Sequence, residues 1–255
     1  MRTGMMMVLI VWGLTANGGY AGGLPKGDCT APRPSTDLRH CSFASKRAEK
    51  MDLSNARLDG VDFTNAVMPE ANFSGASMKG VDMSWANVAE ADFTKADLIG
   101  ADLFHTTFDG GKLDDVRFMG ANMFGTNMNE VSARRANFTA AFMKGIALEE
   151  SDLTGARMFE SFLQRAILIG AVLKETDLRE SVLTGASLEE ADLGGADLRH
   201  VLLNGARLEG ARFDGANLEG ATFTNAVLDG TSFAHVHSIP EHLRQMIQKQ
   251  SAPGS

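Results

Sequence analysis

The chain is poor in the residues that many folds depend on. It has one Tyr, two Trp, two Cys and six Pro in 255 residues, against fifteen Phe and fourteen Met. Two cysteines exclude a fold held together by many disulfides. The longest apolar run, Met5–Leu14, is too short to cross a bilayer as a mature helix. What remains is a composition suited to an interior filled by large side chains without polar atoms.

A fixed internal repeat dominates the rest of the sequence. Every fifth residue from Leu38 to Phe233 belongs to one series, and of its 37 members from Leu53 onward 36 are Leu, Phe, Met or Val, with Ala133 as the exception. Two residues before each member lies a second series, rich in Ala, of which Ala56 and Ala66 are examples. A period of five fits neither a helix nor an alternating strand. It predicts a solenoid.

The repeat unit resembles a known family. The pattern A-[DN]-L-x-G appears as Ala96-Asp97-Leu98-Ile99-Gly100 and as Ala216-Asn217-Leu218-Glu219-Gly220. It is similar to the pentapeptide-repeat family over about three quarters of the chain. The resemblance implies an all-β solenoid, a right-handed quadrilateral β-helix with about 20 residues per coil. The central residue of each pentad would point inward, and the small residue would fill an inner corner.

The repeat divides the chain into four expected segments. Residues 1–21 have the basic start, apolar core and small-residue end of a secretory signal peptide, which predicts a periplasmic or secreted protein. Residues 22–50 form an N-terminal leader and cap, and residues 51–235 form the β-helix. Residues 236–255 contain a helix with apolar residues at helical spacing, which we expect to cap the last coil and cover its open edge.

Both cysteines follow the signal segment and flank the start of the repeat. Two Cys in an exported chain favour a Cys29–Cys41 disulfide that holds the leader over the first coil. The alternative is two free thiols, one of them buried.

The sequence does not predict an enzyme. No nucleophile elbow or phosphate-cradling loop is present, and the five-residue period accounts for the glycines. His235 and His237, with His242 nearby, form at most a weak metal motif. We therefore expect no catalytic residue, no cofactor and no metal, and no stable membrane span after signal cleavage.

The outward positions carry whatever function the chain has. Residues 20 apart should stack, and one wall then collects ten acids against a single base, Arg207. These candidate acids are Glu70, Glu90, Asp109, Glu130, Glu149, Glu150, Glu189, Glu190, Glu209 and Asp229. A neighbouring wall collects a candidate apolar interface, the apolar strip, formed by Phe104, Phe124, Phe142, Phe162, Val182 and Leu202. Solvated acids and coil-on-coil packing are the plainer interpretations of the two walls.

Two functions compete at this stage. The first is an exported, non-enzymatic scaffold that binds a protein partner or a second copy of itself, with no nucleic acid among its partners. The second follows from the resemblance, since fluoroquinolone-resistance members mimic DNA and bind a type II topoisomerase through acidic surfaces. The signal segment and the cysteines favour the first, because that enzyme is cytoplasmic.

Overall fold

The interior follows directly from the five-residue period. The computed structural model describes residues 23–251, and in it the central and small positions of the pentads are almost all buried. Bulky central residues of neighbouring coils lie on top of one another, as do the rings of Phe73 and Phe93 at 4.6 Å and of Phe118 and Phe138 at 5.0 Å. The small residues fill the space between the bulky ones, so the narrow interior closes at native density.

Parallel bridges between successive coils define four faces. From the second coil onward each bridged residue pairs with the residue 20 positions further on. Face 1 runs from Asp37 to His237, face 2 from Ser42 to Thr222, face 3 from Arg47 to Val227, and face 4 from Asp52 to Ser232. Each face contributes a single bridged residue per coil rather than a longer strand. The hydrogen bonds between coils run in both directions, as Leu53 N donates to Asn72 O at 2.7 Å and Asn72 N donates to Met51 O at 2.8 Å.

Tight turns form the corners between the faces. Ala56 N donates to Leu53 O at 3.1 Å, and Asn55 has a φ of 55°. A positive φ at the third residue of a turn favours Gly or Asn. Polar residues at the bridged positions support the turns, since the Asp62 carboxylate accepts a hydrogen bond from Thr64 N at 2.8 Å. These demands explain the Gly, Asn and Asp that recur in the sequence.

The β-helix begins earlier than expected. Asp37 bridges both Lys26 and Arg57, and Leu38 and Phe43 already occupy buried central positions. Residues 22–50, which we expect to form the leader and cap, therefore include the first bridged coil, whose central residues belong to the series that begins at Leu38. The predicted signal segment, 1–21, lies outside the described residues.

A disulfide joins the leader to the first coil. Cys29 and Cys41 form it with their Cα atoms 5.4 Å apart. Within the leader, Lys26 is the residue that bridges the first coil, through Asp37 on face 1.

The C-terminal end is closed by one helix, α1, Glu241–Ser251. Leu243 is fully buried against the last coil, and Met246 and Ile247 pack beside it. Within residues 23–251, no helix has the length and apolar character that a membrane crossing requires. The quadrilateral β-helix with a C-terminal helix is thus confirmed.

Candidate interaction surfaces

The apolar strip lies on face 2 and on the corner that follows it. The bridged residues of this face are Asp62, Asp82 and Asp102 in its N-terminal half. They give way to Phe142, Phe162, Val182 and Leu202 in its C-terminal half. The Phe142 and Phe162 side chains are each 42% exposed. A position that elsewhere holds carboxylates therefore presents large apolar groups to solvent, which is the mark of a contact surface.

The rings of the strip form one continuous row. Phe104 stacks on Phe124 at 5.6 Å, Phe124 on Phe142 at 6.1 Å, and Phe162 follows at 6.4 Å from Phe142. Phe104 and Phe124 are turn residues at the corner, whereas Phe142 and Phe162 are bridged residues on the face. The strip therefore runs obliquely from the corner to the middle of face 2.

Two residues that the sequence analysis missed prolong this row. Trp85 is 57% exposed, lies 5.6 Å from Phe104, and stacks on His105 at 4.4 Å with an interplanar angle of 13°. The His105 ring in turn lies over Gly125, where a Cβ atom would come within 2.5 Å of it. Comparing turn positions 20 residues apart would have found Trp85 and His105 from the sequence.

A shallow groove accompanies the strip. It has a volume of about 440 Å³ and is lined by Phe142, Lys144, Gln164, Arg165 and Thr184. The Gln164 Oε1 atom is buried and has no hydrogen-bond partner among the described residues. An unpaired buried acceptor carries an energetic cost.

The ten predicted acids line a corner rather than a flat face. All ten occupy turn positions between face 3 and face 4, and we call this corner the acidic ridge. Five of them adopt a positive φ, between 54° at Glu150 and 61° at Glu190. Both turn positions at this corner contribute acids. The sequence predicts the same ten acids on one wall.

Charge on the ridge is only partly compensated. Arg207 pairs with Glu189 at 2.7 Å and with Glu209 at 3.7 Å, and Lys50 pairs with Glu70 at 3.4 Å. Burial raises the pKa of the Asp109 carboxyl, and the nearby Glu130 carboxylate raises it further. The ridge is therefore an unfavourable concentration of negative charge in its middle coils.

Face 1 shows the opposite arrangement, in which charges are paired. Arg179 contacts Asp177 at 2.7 Å and Asp197 at 3.7 Å, and Arg199 contacts Asp197 at 2.7 Å. Hydrogen bonds from Arg179 and Arg199 lower the pKa values of Asp177 and Asp197 respectively. The Arg179–Asp197 contact joins adjacent coils, and the three pairs leave no concentrated charge for a partner.

The described residues offer one cluster with metal-ligand chemistry. Cys29, His40 and Cys41 lie together, but both sulfur atoms belong to the disulfide. A disulfide sulfur lacks the thiolate that binds a metal. The cluster is therefore structural.

Comparison with one solved structure, HetL, supports the fold. HetL, a pentapeptide repeat protein involved in heterocyst differentiation regulation in the cyanobacterium Nostoc sp. strain PCC 7120, aligns over 76% of this chain and 89% of its own, with a TM-score of 0.54 and 24% identity. Rfr23 from the cyanobacterium Cyanothece 51142 aligns over 46% of this chain and 91% of its own, with a TM-score of 0.37 and 30% identity. QnrB1, a plasmid-mediated fluoroquinolone resistance protein, aligns over 84% of this chain and all of its own, with a TM-score of 0.33 and 17% identity.

Sequence comparison gives the family directly. No curated protein matches the chain. The model for pentapeptide repeats matches in 8 copies, over residues 52–84, 82–120, 117–155, 166–205 and 202–237. The matched ranges cover most of the β-helix, and the period, the coil and the family model agree. The chain belongs to the pentapeptide-repeat family.

Proposed function

We propose that this protein is an exported, non-enzymatic scaffold that binds a protein partner through the apolar strip. The observation that carries the proposal is the change of residue type along face 2. Equivalent positions hold Asp62, Asp82 and Asp102, and then Phe142 and Phe162. Because the backbone is the same at each rung, coil formation does not require the aromatic residues. An outer surface with stacked, solvent-exposed rings favours burial against another protein.

Export is part of the proposal because the N-terminal segment has the layout of a signal peptide. The disulfide supports it, since disulfides persist in oxidising compartments. Cell fractionation followed by N-terminal sequencing tests this part. We expect the protein in the exported fraction with a new N-terminus near Gly22. A protein found in the cytoplasm with Met1 intact contradicts it.

Site-specific photo-crosslinking tests the binding surface. A photoreactive phenylalanine analogue at Phe142 or Phe162 should give a protein adduct in living cells. The same analogue at Asn137 or Asn217, which are bridged residues on face 1, is the matched control and should give none. Equal labelling at both faces, or no adduct at either, contradicts the proposal.

The acidic ridge supports a second candidate, a DNA-mimic protein that binds a type II topoisomerase. Ten acids along one corner resemble one row of phosphates, although the mimicry of a duplex needs two rows and face 1 is neutralised by ion pairs. Inhibition of DNA supercoiling by micromolar protein, lost on replacement of the ridge acids, would establish this function in place of the first.

A further inference from the structure

We propose that the occupant of the apolar strip is a second copy of this chain, packed antiparallel about a two-fold axis that passes at Phe124. The inference rests on the proposed function, since it names the partner of the same surface. Three observations support it. Within the described residues, two cations beside the strip have no ion-pair partner, two carboxylates near aromatic residues have no cation partner, and the spacing of these groups along the coils matches.

The two cations lie at the C-terminal side of the strip. Lys144 and Arg165 occupy the same corner on adjacent coils and line the groove beside Phe142. Neither forms an ion pair with any residue in the described part of the chain, whereas Arg179, Arg199 and Arg207 all do. Both cations therefore remain available to a group outside the chain.

The two matching sites lie at the N-terminal side of the strip. Asp102 is two residues from Phe104, and Asp82 is three residues from Trp85. Asp82 accepts a hydrogen bond from Ser84 N at 2.9 Å, and Asp102 accepts from Phe104 N at 3.2 Å and from Asn122 Nδ2 at 2.9 Å. No cation of the described residues pairs with either carboxylate. Each carboxylate thus lies within three residues of an aromatic residue, and a carboxylate together with an aromatic ring can bind Lys or Arg.

The spacing of these groups defines a single register. Asp102 and Lys144 lie on the coils on either side of the coil that contains Asn122 and Phe124. Asp82 and Arg165 lie on the next coils out, again one on each side. A two-fold axis at Phe124 therefore brings Lys144 of one copy to Asp102 and Phe104 of the other, and Arg165 to Asp82 and Trp85. The contact is isologous, so each pairing occurs twice.

A parallel arrangement does not satisfy the same groups. A two-fold axis along the long axis of the β-helix places each coil against itself, so that Asp82 meets Asp82 and Lys144 meets Lys144. Like charges in direct contact oppose association. Of these two symmetric dimers, the antiparallel one is the dimer in which both cations contact a carboxylate.

The oblique course of the strip sets the limits of the contact. Two strips that run from corner to face cross at an angle when a two-fold axis relates them. Val182 and Leu202, far from the axis, then stay outside the interface. Both copies have the same distance between coils, about 4.8 Å, so their side chains remain in step along the shared region.

Charge reversal tests the register. Asp82→Lys with Asp102→Lys should be monomeric by sedimentation velocity, and so should Lys144→Glu with Arg165→Glu, because each places like charges in contact. An equimolar mixture of the two variants should restore a dimer, because each then meets its opposite. We expect at least about a tenfold loss of affinity for each variant alone and its recovery in the mixture.

The matched controls carry the same charge changes on face 4. Asp52→Lys with Asp92→Lys, and Lys95→Glu with Lys112→Glu, should leave the dimer intact, because face 4 lies outside the proposed interface. The aspartate variants are matched to the test, since Asp52 and Asp92 make the same turn hydrogen bonds as Asp82. Leu202→Asp should also leave the dimer intact, and Phe142→Asp with Phe162→Asp should abolish it. Circular dichroism melting confirms that each variant is folded.

Two outcomes overturn the inference. A wild-type protein that stays monomeric at about 100 μM, far above the Kd of a specific dimer, excludes the second copy as occupant. A dimer that survives both charge reversals, with no exchange in the mixture, excludes this register. In either case, an adduct at Phe142 but not at Asn137 in the crosslinking experiment leaves the proposed function standing. The absence of any adduct contradicts the proposed function as well.

Discussion

The His242 side chain takes the place of a missing rung at the C-terminal end. Phe223 N donates a hydrogen bond to His242 Nε2 at 3.1 Å. In the coil below, Leu203 N donates to Thr222 O, which is 19 residues further on, as His242 is from Phe223. The chain has turned into helix α1 at this point, so the imidazole supplies the acceptor that a further coil would have supplied from its backbone. Nε2 accepts, which requires the proton on Nδ1.

Replacing His242 with Ala should therefore open the last coil. We expect a loss of about 1 kcal/mol in the free energy of unfolding, because the Phe223 N–H is left without an acceptor beneath the helix. Hydrogen exchange of the Phe223 amide should accelerate. Gln248→Ala, at an exposed position of the same helix, is the control for helix propensity and should change neither quantity. Unchanged exchange at Phe223 in the His242 variant would contradict the capping role.

The disulfide should contribute measurably to stability. Cys29→Ser with Cys41→Ser is expected to lower the free energy of unfolding by about 3 kcal/mol, because the loop between them gains freedom in the unfolded chain. Urea unfolding with and without a reductant measures the difference. The double variant should be insensitive to the reductant. Two titratable thiols in the native protein would contradict the pairing.

The five-residue period predicts the interior well and the surface poorly. Central residues such as Leu53 and Phe73 are buried as expected, because a fixed backbone repeat places them identically in every coil. The periodicity does not distinguish a face from a corner, so it predicts an acidic wall where the acids from Glu70 to Asp229 line a corner. Nor does it identify Trp85, a single exposed ring whose importance depends on contacts with the next coil. The period also ends before helix α1, so it does not identify His242 as the acceptor for Phe223 N.

Gly125→Ala should disturb the aromatic row. Gly125 has a φ of 61°, and a Cβ atom there would lie 2.5 Å from the His105 ring. We expect a loss of about 1–3 kcal/mol from backbone strain and displacement of the ring. The fluorescence emission of Trp85 should shift, because its stacking partner moves.

Gly145→Ala is the matched control for this change. Gly145 has a φ of 68° at the same kind of corner, but nothing lies within 4 Å of the added Cβ. It should show the backbone cost without a shift in Trp85 emission, and the Trp85→Phe variant identifies that emission. Equal spectral effects from both substitutions would contradict the stacking of His105 on Trp85.

The paired acids should make the β-helix sensitive to acid. A hydrogen bond from Arg39 lowers the pKa of Asp37 to about 2, and the pKa values of Asp177 and Asp197 are lowered in the same way. A lowered pKa in the folded state stabilises it above the unfolded value, near 3.9, and this contribution disappears as the pH falls through the folded value. Stability should therefore drop between pH of about 4 and 2. Asp177→Asn with Asp197→Asn should flatten the drop, and an unaltered profile would contradict these assignments.

Relief of repulsion on the acidic ridge should stabilise the protein. Glu130 has a φ of 57° and stacks near Glu150 and Asp109, so its charge and its backbone conformation are both unfavourable. Asn tolerates positive φ and removes the charge. Glu130→Asn should raise the free energy of unfolding by about 0.5–1 kcal/mol. The gain should shrink as salt is added to urea unfolding experiments, because salt screens the repulsion.

Glu175→Asn separates the two causes. Glu175 has a φ of 56° at another corner, where Gly155 and Gly195 replace the stacked acids. Its substitution should give only the backbone part of the gain, with little dependence on salt. A larger, salt-dependent gain in the free energy of unfolding at Glu130 would show that the ridge carries repulsion between carboxylates that the fold does not require. Such repulsion is expected of a surface that binds a partner. Equal gains at the two positions would indicate that the ridge acids are simply solvated surface groups.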